Sequence, residues 1–264
     1  MNIVRWLTWL FLLTGMLWCA GCVLSPDKPS YQVNDSGVIS LTVPTPSIEE
    51  EILTVQNGVT VSRISFWNID EEVYAILATP KKPRAAIVLA PGAGVKKEGH
   101  RARAEEYARE GIALVVLDIR GNGGETAGYP LDIQTDFQQF TEGSWPQYYA
   151  ICADMIATQE ILSARFSVPI FAMGESNGGR YAAIAMAEDH NFAGYIGIST
   201  SGFGLIGNRY TGNAKRFLLS IDPDHTIAAI SPQPVLLFHS PNDSIIPYSD
   251  ASVLFNHAGE PKTF

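Results

Sequence analysis

The sequence predicts an α/β fold with a mostly parallel central sheet and helices on both of its faces. Short, unbroken apolar runs recur as AAIVLAP (85–91), IALVVLD (112–118), VPIFAMG (168–174), GYIGIST (194–200) and PVLLFHS (234–240). The stretches between them leave room for helices, so each run reads as a strand buried on both faces, the mark of a covered parallel sheet. One run ends in a Gly-x-Ser-x-Gly turn that opens a helix, and open α/β sheets place their sites at the carboxyl ends of strands.

The elements follow in chain order. ILTVQNGVTVSRISF and VYAILATP suggest two or three antiparallel strands, with Asn57-Gly58 as the strongest hairpin signal. After the strand 85–91 a helix is expected over about 97–110, then the strand 112–118, a long helix over about 145–164, the strand 168–174 and a helix over about 177–188. The strands 194–200 and 234–240 complete the alternation. A chain of 264 residues suits one large domain, placed at 50–264.

The N-terminus reads as an address. MNIVRWLTWLFLLTGMLWCAGC has one positive charge at Arg5, an apolar run, then small residues ending at a cysteine, as in a secretory signal. Residues 1–22 are therefore expected to be a signal peptide or membrane anchor, and 23–49, with several prolines and no sustained period, a flexible tether. Cys-Ala-Gly-Cys resembles a bacterial or archaeal lipoprotein signal, which would make Cys22 the lipidated first residue; Cys19 stands where such signals usually carry Leu. An uncleaved anchor is the alternative, because residues 6–24 approach the roughly 20 apolar residues that span a bilayer, and simple secretion is the third. Each places the folded domain outside the cytoplasm.

Composition narrows the function classes. Hydrophobic residues at 46% and charged residues at 17% exclude a disordered or coiled-coil chain. A net charge of −9, with no Lys/Arg cluster, argues against nucleic acid. There is no HExxH and no His/Asp cluster at ligand spacing, so no metal or other cofactor is expected. Cys152, between Ile151 and Ala153, reads as a buried core thiol.

The sharpest chemical signal is Gly174-Glu175-Ser176-Asn177-Gly178 at a strand-to-helix junction. A nucleophile there stands on a tight, strained turn, and the flanking glycines let neighbouring backbone approach closely. Ser176 is the expected nucleophile. An oxyanion needs fixed donors; the Asn177 N–H at the helix N-terminus is one, and the loop Pro91-Gly92-Ala93-Gly94 offers a second, Ala93 or else Gly94. Asp243, just beyond the strand 234–240, is the expected acid partner. Asp222 and Asp224 are rivals, but they precede that strand and read as helix caps.

Residues 50–264 resemble the α/β-hydrolase superfamily, in particular its dienelactone hydrolase-like and acyl-peptidase-like esterase branches. LAPGAG, VVLDIRGNGGETAG, GESNGG and HSPNDSIIP carry the likeness in order. Gly121, Gly123 and Gly128 match a loop that the family uses beside its site, and Pro91-Gly92 replaces the His-Gly of many relatives. The resemblance implies a catalytic triad completed by a histidine after the acid and beyond one more strand. GEPKTF resembles the run-up into that strand, so the last strand, the last helix and the histidine are expected beyond Phe264, and the chain as it stands is expected to lack its base.

Of the five histidines, His239 falls where relatives carry a structural imidazole, His257 is expected on a solvent-facing helix, and His100 is the best substitute by location; His190 and His225 have no such claim. The reading is hydrolysis of a small-molecule carboxylic ester through an acyl-enzyme on Ser176. The alternatives are a peptidase or amidase using the same triad, or a tethered binding protein without a base. Residues 201–220 are expected to shape the substrate pocket.

Overall fold

Alternate residues of a single strand feed two different cores. In the strand Ala85–Ala90, Ala86, Val88 and Ala90 join one buried cluster while Ile87 and Leu89 join another, the period-2 signature of a sheet covered on both faces. The structure is a computed structural model that describes residues 28–264. The signal segment and Cys22 lie outside the described residues. Among those described, no helix is long and apolar enough to cross a membrane.

The chain opens with a small antiparallel hairpin, β1 (Ser30–Val33) and β2 (Ile39–Thr42). Three antiparallel strands follow, β3 (Ile48–Gln56), β4 (Val59–Asn68) and β5 (Glu71–Pro80). Asn57 and Gly58 join β3 to β4 with φ of 53° and 76°, the double positive φ of a type I′ hairpin turn that matches strand twist. The alternating part comprises β6 (Ala85–Ala90), α1 (Arg101–Arg109), β7 (Ile112–Leu117), α2 (Ile133–Glu142), α3 (Gln147–Arg165), β8 (Ile170–Glu175), α4 (Asn177–Glu188) and β9 (Tyr195–Ile198). It continues with α5 (Gly212–Ser220), α6 (Pro223–Thr226), β10 (Val235–Phe238), α7 (Tyr248–His257) and β11 (Lys262–Thr263).

Strands β3 to β11 form one sheet in the order β11-β10-β9-β8-β6-β7-β5-β4-β3. All pairings from β7 through β6 to β11 are parallel, and β5, β4 and β3 continue the sheet antiparallel. Helix α3 is buried from Gln147 through Gln159, as a helix apolar on nearly every side must be; it packs with α4 on one face, and α1 covers the other through Ala104 and Ala108.

Two expectations change. Residues 30–42, read as part of a tether, fold as the β1–β2 hairpin, because Val33 and Ile39 are buried in the main core and Tyr31 packs edge-on against Trp145 and Tyr149. The last strand, expected beyond Phe264, already begins as β11, where Lys262 and Thr263 pair with Val235 and Leu236 of β10.

Candidate active site

Ser176 caps the end of β8 with φ 52° and ψ −121°, a backbone conformation costly for any residue with a side chain and characteristic of functional strain. The turn holds this shape through packing. A Cβ on Gly174 would lie 2.2 Å from Gly178 O, and one on Gly178 would lie 2.0 Å from Ala90 O, so both positions exclude a side chain. Ser176 N–H donates to Ile198 O at 3.0 Å, and the Thr200 hydroxyl donates to Ser176 O at 2.8 Å. These bonds tie the turn to β9 and the residues after it.

The loop after β6 lies against this serine, since a Cβ on Gly92 would stand 3.4 Å from Ser176 Cβ. Asn122 shapes the loop. Its amide NH2 donates to Gly92 O and Val95 O, each at 3.0 Å, and its Oδ1 accepts Gly94 N–H at 3.0 Å. Gly94 N–H is thus committed, while the N–H groups of Ala93 and Asn177 donate to nothing among the described residues. Ala93 and Asn177 line one cavity of about 270 Å³. Of the two loop donors that the sequence left open, geometry leaves Ala93 available.

Beneath this loop lies charge that the sequence reading passed over. Lys97 is 1% exposed, with Nζ at 3.2 Å from Asp118 and 2.7 Å from Glu125. Arg63 and then Lys97 hold the Glu125 carboxyl down to about 2. Arg120 is buried and donates to Asp154 at 2.7 Å, Asp70 at 2.8 Å and Asn68 O at 2.9 Å. Both networks fix the segment 118–126, which brings Asn122 to the loop. No sequence signal marks these partners, since they lie 21 to 62 positions apart.

Asp243 follows β10, two strands from the end of β8. Its Oδ1 accepts from Ile245 N at 2.9 Å and Ile246 N at 3.0 Å. These backbone bonds, Ile246 first, hold its carboxyl below the usual range. His239 donates through Nε2 to Ile246 O at 2.8 Å and lies 3.6 Å from the other Asp243 oxygen, so it supports the loop.

Two further histidines lie beside carboxylates. His100 Nε2 is 3.4 Å from Glu175, which also binds Arg103, and burial lowers the imidazole pKa. His257, expected to face solvent, keeps 37% of its side chain exposed while its Nδ1 lies 3.4 Å from Asp224, because α7 packs on α6. Among the described residues no histidine bonds to Ser176.

Asp222 caps α6 by accepting Asp224 N–H at 2.9 Å, and it also accepts from Phe203 and Leu205, each at 2.8 Å. Asp224 takes Gly204 N–H at 2.8 Å. The two carboxylates hold the loop that leads into α5. Arg180 joins that loop to the start of α4, donating to Asn177 Oδ1 at 2.8 Å and Ser201 O at 3.0 Å. Ser201, Phe203, Ile206 and Arg209 line a second cavity, of about 460 Å³. Among the described residues no group of three or more His, Cys, Asp or Glu side chains converges as a metal site. Cys152 is fully buried, and burial pushes its thiol pKa well up.

The model of the family described as serine aminopeptidase, S33, matches residues 81–221, which carry the loop, the strained serine and the strands that position them. The chain belongs to this family of α/β hydrolases. Solved structures of the same fold include an acetyl xylan esterase from Paenibacillus sp. R4, with a TM-score of 0.68 at 17% identity over 82% of this chain and 80% of that one. Acetyl xylan esterase 1 from Thermoanaerobacterium sp. JW/SL YS485 gives 0.69 at 18% identity over 83% and 80%. A glucuronoyl esterase from Solibacter usitatus gives 0.56 at 15% identity over 89% and 73%. No curated protein matches the sequence. For this S33-family chain the likeness to those structures establishes the α/β-hydrolase fold.

Proposed function

We propose that the chain is a serine esterase that hydrolyses a small-molecule carboxylic ester through an acyl-enzyme on Ser176, with Asp243 as the triad acid. The observation that carries this reading is the strained Ser176 backbone, φ 52° and ψ −121°, set beside the unpaired N–H groups of Ala93 and Asn177. Ser176 Oγ adds to the ester carbonyl as a base takes its proton. The bond to the alcohol oxygen breaks, and the alcohol leaves with that proton. Water then adds to the acyl carbon, the base takes a proton from it, and the acid departs as Ser176 regains its hydrogen. At each tetrahedral stage the oxyanion accepts from Ala93 and Asn177.

The base in this reading is a histidine. Strand β9 separates β8 from β10, which sets the two strand ends on the order of 10 Å apart, a gap suited to an imidazole between serine and carboxylate. Esterases among the structures of the same fold support ester over amide chemistry. The family's aminopeptidase description supports the second reading, an amidase with the same residues. The N-terminal segment in this proposal holds the domain outside the cytoplasm through a lipidated Cys22. Recovery of mature protein with residues 1–21 attached would exclude that anchor.

The decisive experiment treats the full-length protein with a fluorophosphonate and locates the label by mass spectrometry, then compares p-nitrophenyl acetate with aminoacyl p-nitroanilides. Labelling at Ser176, ester turnover and its loss in Ser176→Ala are expected. A label elsewhere, or none, removes the nucleophile assignment; turnover of anilides alone moves the reading to the amidase.

A further inference from the structure

The cavity that Ala93 and Asn177 line has walls of two kinds. Pro91, Ala93, Pro130 and Leu131 are apolar, and at about 270 Å³ it falls just below the range of cavities that enclose drug-sized ligands. It holds a group of a few carbons. Most of its polar side chains are already committed to the protein. Arg120 binds Asp154, Asp70 and Asn68 O, and Asn122 binds the loop at Gly92, Gly94 and Val95. Gln147 donates to Tyr129 O at 2.6 Å and accepts Tyr129 N–H at 2.9 Å. The Asn177 carboxamide oxygen accepts from Arg180, leaving an NH2 on a half-exposed side chain.

Tyr181 differs from these. It lines the cavity and is 4% exposed, yet its hydroxyl makes no hydrogen bond among the described residues. A phenol that the protein leaves unbonded at a cavity wall keeps its O–H as a donor for whatever fills the cavity. The ring is held edge-on against Tyr148 with centroids 4.6 Å apart, so its position is set. Burial raises the phenol pKa, which keeps it a neutral donor. Tyr181 also stands five residues after Ser176 on α4, the helix that begins with the Asn177 donor, so donor and oxyanion site share one rigid element.

We propose that this cavity is the acyl subsite and selects a short acyl group bearing an oxygen acceptor, a hydroxy or oxo substituent that receives a hydrogen bond from Tyr181. The proposal rests on the acyl-enzyme reading and deepens it, since it names the acid part of the ester. An unsubstituted acyl chain of the same length fills the apolar walls but leaves the phenol unpaired, and a long chain exceeds the space.

The test measures kcat/KM of the full-length protein and of Tyr181→Phe on p-nitrophenyl 3-hydroxybutyrate, butyrate and octanoate. The native protein is expected to favour 3-hydroxybutyrate over butyrate by about tenfold, with octanoate poorest, and Tyr181→Phe to bring the ratio of the two four-carbon esters to about one. Ester turnover with equal rates on the two four-carbon esters, or a preference that survives Tyr181→Phe, overturns the subsite while the esterase reading stands. Absence of any Ser176-dependent ester turnover overturns the esterase reading instead. In that case binding of free 3-hydroxybutyrate and butyrate to Ser176→Ala, followed by NMR, still decides the cavity: equal affinity rejects the role of Tyr181, and a hydroxy preference lost in Ser176→Ala/Tyr181→Phe upholds it.

Discussion

The Oδ1 atom of Asn122 accepts the Gly94 N–H at 3.0 Å across 28 residues of sequence, so one side chain removes Gly94 as a donor and leaves the adjacent Ala93 N–H free. Asn122→Ala should release the loop. The expected result is a kcat lower by about ten- to a hundredfold with KM nearly unchanged, because the donor serves the transition state more than the bound ester. Steady-state kinetics on p-nitrophenyl acetate check it; a rise in KM alone would assign Asn122 to binding.

Two glycines near Ser176 should respond in opposite ways to alanine. At Gly178 the new methyl meets Ala90 O at 2.0 Å, backbone that cannot step aside, so Gly178→Ala should cost about 3 kcal/mol or more in urea unfolding. At Gly92 the methyl finds ordinary contact, 3.4 Å from Ser176 Cβ. Gly92→Ala should therefore keep its melting temperature and lose activity through crowding at the serine. Intact activity in Gly92→Ala would show that the ester approaches from another side.

Arg120 and Asp154 are both almost fully buried and share two hydrogen bonds. Asp154→Ala leaves a buried guanidinium with Asp70 and a carbonyl as its remaining partners, and a loss of about 3–5 kcal/mol is expected. Replacing both, as Arg120→Met with Asp154→Leu, should recover most of that stability. Chemical denaturation of the three proteins forms the measurement, and a double variant no better than Asp154→Ala would contradict it.

Burial raises the Glu188 carboxyl to about 7, offset in part by the backbone of Leu41. Its folded value exceeds its unfolded one, so its share of stability is complete below about pH 4.5 and disappears as pH rises through about 7. The loss is on the order of 3 kcal/mol. Melting curves from pH 5 to 8 should show the native protein falling, and Glu188→Gln falling less. Parallel curves would place the titration elsewhere.

The central strands were legible because a strand buried on both faces is an uninterrupted apolar run, and Ile87 through Ala90 or Leu114 through Leu117 admit few other readings. The strained serine was legible for a similar reason: its requirements are local, glycines two positions away on each side. The β1–β2 hairpin was not, since each strand has four residues and only Val33 and Ile39 are buried in them. Helix α2 went unassigned although Asp132 caps it, accepting from Gln134 and Thr135, and Phe140 is buried. Its apolar stripe is brief and set among polar residues. The bonds of Asn122, Lys97 and Arg120 join segments whose proximity exists only after the sheet has formed.

The hairpin also bears on the order of assembly. Arg216 in α5 donates to Val33 O and Asn34 O, and the Tyr31 hydroxyl donates to Ser144 O at 2.8 Å. The first described strand is thus secured by groups that arrive more than a hundred residues later, the farthest 183 positions on. During synthesis the growing polypeptide carries this piece only partly secured until α5 has emerged. Its docking closes the largest loop among these contacts and belongs to the late, slow steps of folding, because distant closure forfeits the most chain entropy before any contact repays it.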